Sequence, residues 1–315
     1  MSHIQMEWQN PIVRGYYKAL ASSLRLIRHD CRGAGLSDRD VTDYSLDAHG
    51  RDILAVADRL GWERFALFGY PHSGSAAIHF AAHHPERVSH LVLWCSYPRG
   101  ADYGRGPRVE ASRSLMDQSE GWELWTRIEG YRLTEWEGGE TSRWFAEYVR
   151  ESLSEAGTRA AVSALRKVDV TDLLPRVRAP TLVLQRSGVT AITVDTAKEI
   201  ASAIPNARLM LFEGIWILPF LGSGAKEIVA AIRNFVLETP AMPESVAEDL
   251  AAAHLTPRET AVLRLIAAGR TSSEISRELS LSVRTVGRHI TNIYTKIGAR
   301  TRAEATAYAI HHHVA

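Results

Sequence analysis

Cysteine is almost missing from this chain. Cys31 and Cys95 are its two thiols in 315 residues, too few for a disulfide framework. Both fall in or beside expected strand ends, so each is read as a buried free thiol. No stretch of eighteen apolar residues occurs, and no membrane-spanning helix is indicated. The opening MSHIQMEWQNP lacks the basic-then-apolar order of a secretory leader. Between His90 and His254 there is no histidine at all, so that stretch lacks the commonest general base. Net charge is nearly absent too, +1 from 37 Lys and Arg against 36 Asp and Glu. These absences fit a reducing cytoplasm. No cofactor is expected. No metal is expected either, since His79 and His83 stand at i, i+4 without a convincing third ligand.

What is present divides the chain. The length predicts two domains, and 45% apolar residues suffice for a full core. Residues 251–315 hold nine Lys and Arg against four Asp and Glu, a net +5; residues 1–250 hold 28 against 32, a net −4. The positive charge is gathered at the carboxyl end. Residues 238–254 read TPAMPE after Glu238 and then an Ala-rich acidic stretch, the composition of a linker. It separates an expected domain 1–237 from another at 255–315. No internal repeat is visible.

The last sixty residues spell out helix starts. Thr256 is followed by Glu259, Thr271 by Glu274 and Thr301 by Glu304, three capping boxes in which a hydroxyl and a carboxylate satisfy the first amides of a helix. Pro257 sits where its missing N–H costs nothing. A further helix starts after Ser282 and runs to about Ile297, with Gly298 as its stop. Four short helices with a tight connection between the second and third describe a helix-turn-helix. Val283, Val286, Ile290, Ile293 and Ile297 recur every three or four residues and predict the buried stripe of the third helix. Arg284, Arg288, Thr291 and Thr295 fall on another face, with Thr285, His289 and Asn292 beside them. Such a face can donate to phosphates and base edges in a major groove.

Residues 255–313 resemble the LuxR/FixJ (GerE-like) DNA-binding domain. The resemblance rests on LTPRE, the AAG ending the first helix, Glu274-Ile275, the L-S-V-x-T-V-x-x-H run from Leu281 to His289, and N-I-Y-x-K-I-G from Asn292. It implies a recognition helix of about Val283–Ile297, dimers pairing through the last helix, and two half-sites. By analogy with that family Arg288 is the base reader. Thr271, Ser282, Arg284, Thr285, His289, Thr291, Asn292 and Lys296 complete the expected DNA contacts, with Thr271 and Ser282 on phosphates. The chain departs from the family at Gly287, where a charged residue is usual.

Residues 24–236 alternate short apolar runs with amphipathic helices. Strands are expected at Leu24–His29, Phe65–Phe68, His90–Cys95, Thr181–Leu184 and Leu209–Phe212, with helices such as Leu46–Leu60, Ser75–His83, Thr193–Ile204 and Lys226–Leu237 between them. This alternation predicts an α/β class with a doubly wound, mostly parallel sheet. Asp30-Cys31-Arg32-Gly33-Ala34-Gly35-Leu36-Ser37, Ala82-His83-His84-Pro85-Glu86-Arg87-Val88 and Ala179-Pro180-Thr181-Leu182-Val183-Leu184 resemble segments of the α/β-hydrolase family. The resemblance covers about 8–237 and implies a helical lid at about 100–175. That family has strands and an oxyanion-hole loop ahead of the W-x-x-P seen here at Trp8–Pro11, including a strand between Leu24–His29 and Phe65–Phe68. Only seven residues precede Trp8. A start lying further upstream is expected, the alternative being a shortened sheet.

The resemblance also says where chemistry belongs. The nucleophile of G-x-Nuc-x-G falls on Pro71, which has no nucleophilic atom and a φ locked near −65°. The acid position after Leu184 leads to Val189 with no carboxylate before Asp195, and the histidine position is Ile217. Ser73 is expected to cap the following helix. His72, His79, His83 and His84 are read as helix-surface residues. Nucleophile, base and acid act as a unit, so the expectation is a domain that is not an enzyme, a pseudoenzyme. It would bind a small apolar ligand near Pro71, His72, Trp122, Trp125, Trp136, Trp144, Trp216 and Ile217, or serve dimerisation. Together the domains predict a homodimeric regulator of transcription on double-stranded DNA. The alternatives are an active esterase or epoxide hydrolase with a DNA-binding tail, and a front domain that binds only another protein.

Overall fold

The computed structural model describes residues 1–103, 107–116, 121–237, 255–279, 281–297, 299 and 301–311. The expected linker 238–254 and the expected helix stop Gly298 lie outside them. Contacts divide the chain into two units, Met1–Glu238 and Thr239–Ala315.

The first unit is built on a parallel sheet of four strands in sequence order: β1 (Phe65–Gly69), β2 (Val88–Trp94), β3 (Thr181–Arg186) and β4 (Ala207–Phe212). Alternating side chains of the central strands feed two cores, as the pleat requires. Val92, Trp94, Leu182 and Leu184 join one; Leu91, Leu93 and Val183 join the other. Helices cover both faces, which is why β2 and β3 are buried almost throughout. Their starts are written in the sequence: Asn10 caps α2 (Pro11–Ala21), Ser45 caps α3 (Leu46–Arg59) and Thr193 caps the helix Val194–Ala203. A short α1 (Ile4–Gln9) precedes α2, and α4 (Gly74–His83) follows β1. The segment expected as a lid contributes α5 (Pro107–Met116), α6 (Trp122–Leu133), α7 (Gly139–Ser152) and α8 (Glu155–Arg166); α9 (Val194–Ala203) and α10 (Ala225–Leu237) complete the unit.

The expected strand Leu24–His29 is not a strand. A strand exists only where a neighbour supplies its ladder. Among the described residues nothing fills the place between this segment and β1, so β1 is an edge. The segment leads instead into the Asp30–Ser37 turn. There the Asp30 carboxylate accepts from the amides of Ile4 and Leu36, both at 3.0 Å, and Arg32 forks onto Asp52 at 2.8 Å. Gly35 adopts φ +55°, and a Cβ there would meet the Asp30 carboxylate at 2.3–2.6 Å. Cys95 is buried and Cys31 only half-buried, so the expectation of buried thiols holds for one of the two.

The second unit has four helices, α11 (Pro257–Ala267), α12 (Ser272–Glu278), α13 (Val283–Ile297) and α14 (Arg302–His311). The boxes at Thr256/Glu259 and Thr271/Glu274 are formed in both directions, and Thr301 accepts from the Glu304 amide at 3.1 Å. Gly269 turns left-handed after α11, φ +77°, the usual use of glycine at a helix end. The core holds Val262, Leu263, Ile266, Ile275, Val286 and Ile293, with Ile290 and Ile297 packed against it. Val283 is not part of it. This residue is 51% exposed, because the first position of α13 projects beyond the helices that bury Val286 and Ile293.

Candidate functional site

Two places hold the expected functional residues. The first is the turn after β1. Pro71–Ser73 form a single 3-10 turn, α4 follows from Gly74, and none of residues 69–75 has a positive φ. The strained elbow conformation is therefore absent, as the ring of Pro71 requires. Ser73 stands at the N-cap position but does not cap: its Oγ accepts from the Tyr70 amide and donates to the Tyr70 carbonyl, both at 3.0 Å. This corrects the expected capping role. His72 is exposed, with Nδ1 2.7 Å from the Tyr97 hydroxyl and its ring 4.4 Å from that of Tyr103.

Beside this turn lies a cavity of about 20 Å³, room for one water. Among its walls are Glu7, Tyr70, Trp144, Phe145, Tyr148 and Phe220. Of the eight expected pocket residues only Trp144 lines it. Trp136 is 44% exposed, Trp122 and Trp125 stack on each other at 5.2 Å, and Ile217 is buried in the core. Composition had no means of pointing to the polar corner. There the Glu7 carboxylate, nearly buried, accepts from the Tyr148 hydroxyl and from Arg28 Nη1, each at 2.6 Å. Burial first, and the neighbouring Glu7 charge second, push the Tyr148 phenol well above its ordinary range; burial does the same for Tyr70. Both stay protonated donors at neutral pH.

The positions expected for the acid and the histidine are filled by scaffold. Val189 and Ile217 are each 4% exposed, and Asp195 is an exposed residue paired with Lys198. Arg186, fully buried, donates to the carbonyls of Trp216 (3.0 Å), Leu218 (3.3 Å) and Ser223 (2.9 Å). Trp94 Nε1 donates to the carbonyl of Ile217 at 2.7 Å. Three successive carbonyls of the loop after β4 are thus held from β2 and β3. The guanidinium lies 5.5 Å over the Trp94 ring and forms no ion pair among the described residues. Burial lowers its pKa.

The second place is the outer face of α13. Arg284, Gly287, Arg288, Thr291 and Asn292 are exposed, and Thr285 and His289 are half-buried. The Ser282 hydroxyl accepts from the Thr285 amide at 3.0 Å and pairs with the Thr285 hydroxyl at 2.7 Å. Thr271 is engaged with Glu274, and Thr291 donates to the Gly287 carbonyl at 3.1 Å. Lys296 is an exposed residue whose Nζ reaches to 2.7 Å from Glu259, a side chain only 4% exposed. Burial alone would raise the Glu259 carboxyl, but the bonds from Lys296 and Thr256 hold it down at about 2. Lys296 is therefore placed as a brace between α11 and α13.

With both places described, the comparison with known proteins is direct. The family model for the alpha/beta hydrolase fold matches residues 8–214, about two thirds of the chain. The chain belongs to the α/β-hydrolase fold family. Its second unit is a LuxR-family DNA-binding domain, matched by the model for bacterial regulatory proteins of that family at 253–309. The hydrolase unit is 26% identical over 216 residues to a pimeloyl-[acyl-carrier protein] methyl ester esterase of Nitrosomonas europaea, covering 66% of this chain and 83% of that protein. A hydrolase from Oleispira antarctica has the same fold, with a TM-score of 0.64 and 17% identity over 75% of this chain and 88% of that one. The transcriptional regulatory protein LiaR of Bacillus subtilis is 45% identical over 60 residues, 19% of this chain and 28% of that protein.

These matches correct the expectation that the chain is not an enzyme. A hydrolase-family domain whose relatives include an esterase cannot be set aside as inert because three positions have changed. The geometry limits the means instead. Pro71, Val189 and Ile217 offer no nucleophile, acid or base, so hydrolysis beside this turn would have to draw on other groups. Glu7, Tyr70 and Tyr148 are those that reach the cavity. Among the described residues no helix is long and apolar enough to cross a membrane.

Proposed function

We propose that this chain is a cytoplasmic transcription regulator that binds double-stranded DNA as a homodimer. In this reading α13 lies in the major groove. Arg284, Arg288, His289 and Asn292 meet bases and phosphates, with Ser282, Thr285, Thr291 and the amides at the helix starts of Thr271 and Ser282 beside the backbone. Lys296 positions the helix rather than contacting DNA. The hydrolase domain supplies the input, by taking up a small apolar ligand or by holding two copies together. The observation that carries the reading is the exposed Arg284–Arg288 pair, one helical turn apart on a capped helix in a LuxR-family domain.

The test is DNA binding by the full chain at low salt. Specific duplexes are first enriched from a random library. Arg288→Ala is expected to weaken binding to the enriched site by about 1–3 kcal/mol while sparing random duplex. Equal losses on both would remove Arg288 as a base reader, and no shift of any duplex would end the reading. A thermal-shift screen of apolar metabolites checks the input, since a ligand of the folded state raises the melting point.

A second reading, an active ester hydrolase joined to a DNA-binding domain, is favoured by the match to a methyl ester esterase. Its check is turnover of short-chain p-nitrophenyl esters by the purified chain. Turnover abolished by Glu7→Gln or Tyr148→Phe would place the chemistry in the cavity beside Pro71.

A further inference from the structure

One apolar side chain stands out on the cationic surface of the second unit. Val283 is 51% exposed and is the one large hydrophobic residue so exposed among that unit's described residues. It opens α13, immediately before Arg284 and five positions before Arg288, both exposed. The next position along its helical row, i+4, is Gly287. A Cβ built there would meet nothing within 4 Å, so no side chain screens the valine from whatever the helix faces. The third position of the row, Thr291, spends its hydroxyl proton on the Gly287 carbonyl at 3.1 Å. Ser282 and Thr285 are bonded to each other. The amino-terminal end of α13 therefore presents an uncovered isopropyl group just ahead of Arg284 and Arg288, with its neighbouring hydroxyls already engaged.

Exposure of a valine gains nothing in a monomeric surface, and a helix start is served equally well by a polar residue. In a major groove the same group has a partner. Thymine alone among the bases of DNA carries a methyl group there, and apolar side chains read it by contact. Residues near the start of a recognition helix are those that reach base edges. We propose that Val283 is a specificity-determining residue that contacts a thymine C5-methyl in each half-site. Arg284 and Arg288 hold the neighbouring phosphates and bases. The inference rests on the DNA-binding reading above.

The experiment separates the two claims. The full chain selects sites from a random duplex library, and each thymine of the enriched site is then replaced in turn by uracil, which removes only the methyl. At one position per half-site uracil is expected to weaken binding about fourfold, the worth of one buried methyl-sized group (~0.8 kcal/mol). Val283→Ser is expected to bind the thymine and uracil duplexes equally at that position, and Val283→Ile to keep the discrimination, which excludes a folding defect as the cause. No uracil effect anywhere, or one that persists in Val283→Ser, overturns the assignment and leaves DNA binding standing. A library that yields no enriched duplex overturns DNA binding and the assignment with it.

Discussion

The turn after β1 and the outer face of α13 have been treated in opposite ways. At the turn, the positions expected for nucleophile, acid and histidine hold Pro71, Val189 and Ile217, while backbone groups are secured. Ser73 closes on Tyr70, and Arg186 and Trp94 hold the carbonyls of residues 216–218. At α13 the backbone is secured by the Ser282 cap, and charged side chains remain outside. Unpaired buried backbone groups are costly, so both places show how a scaffold is kept. They differ in which polar side chains each gathers. On α13 these are exposed and cationic. Beside the turn they are Glu7, Tyr70 and Tyr148, around a space for one water.

That contrast can be broken first at Arg186. Arg186→Met keeps volume but takes the donors from three carbonyls. A loss of about 3 kcal/mol is expected, orphaned groups outweighing relief of the buried charge. All eight tryptophans precede residue 217, so tryptophan fluorescence during urea unfolding reports this unit alone. An unchanged midpoint would mean that the loop needs no clamp. Next comes Glu259→Gln, which loses the Lys296 brace and weakens a cap. About 2 kcal/mol is expected from the second unit, read as its melting temperature. The folded Glu259 carboxyl lies at about 2 against an ordinary 4.5. Its contribution is therefore complete above pH 4.5 and is lost as pH falls toward 2; a flat stability profile across that window would contradict it. The smallest change is Gly287→Lys. The site is open, so the helix is expected to gain up to about 1 kcal/mol and the salt slope of DNA binding to steepen by about one. A slope left unchanged would take position 287 out of the groove.

Local chemistry was legible in the sequence; long-range pairing was less so. Continuous apolar runs disclosed β1 to β4, and the hydroxyl–carboxylate spacings disclosed α11 and α12, because each depends on neighbours in sequence. Leu24–His29 carries Leu24, Leu26 and Ile27 and is still not a strand, since a strand also needs a partner that composition does not supply. Val283 fitted the helical period and still lies outside the core, because periodicity ignores where packing helices end. Lys296 and Glu259 are 37 residues apart, and nothing local joins them. Tryptophan content suggested an apolar pocket, whereas the cavity gathers Glu7 with Tyr148 across 141 residues. The one hint was an acid set between Met6 and Trp8.

The brace between Glu259 and Lys296 has a consequence for how such a regulator diverges. One carboxylate closes the first helix of the domain and holds the far end of α13. Shortening or lengthening either arm would tilt that helix like a lever on a pivot. Operator preference would then drift in lineages where every contacting residue stayed the same.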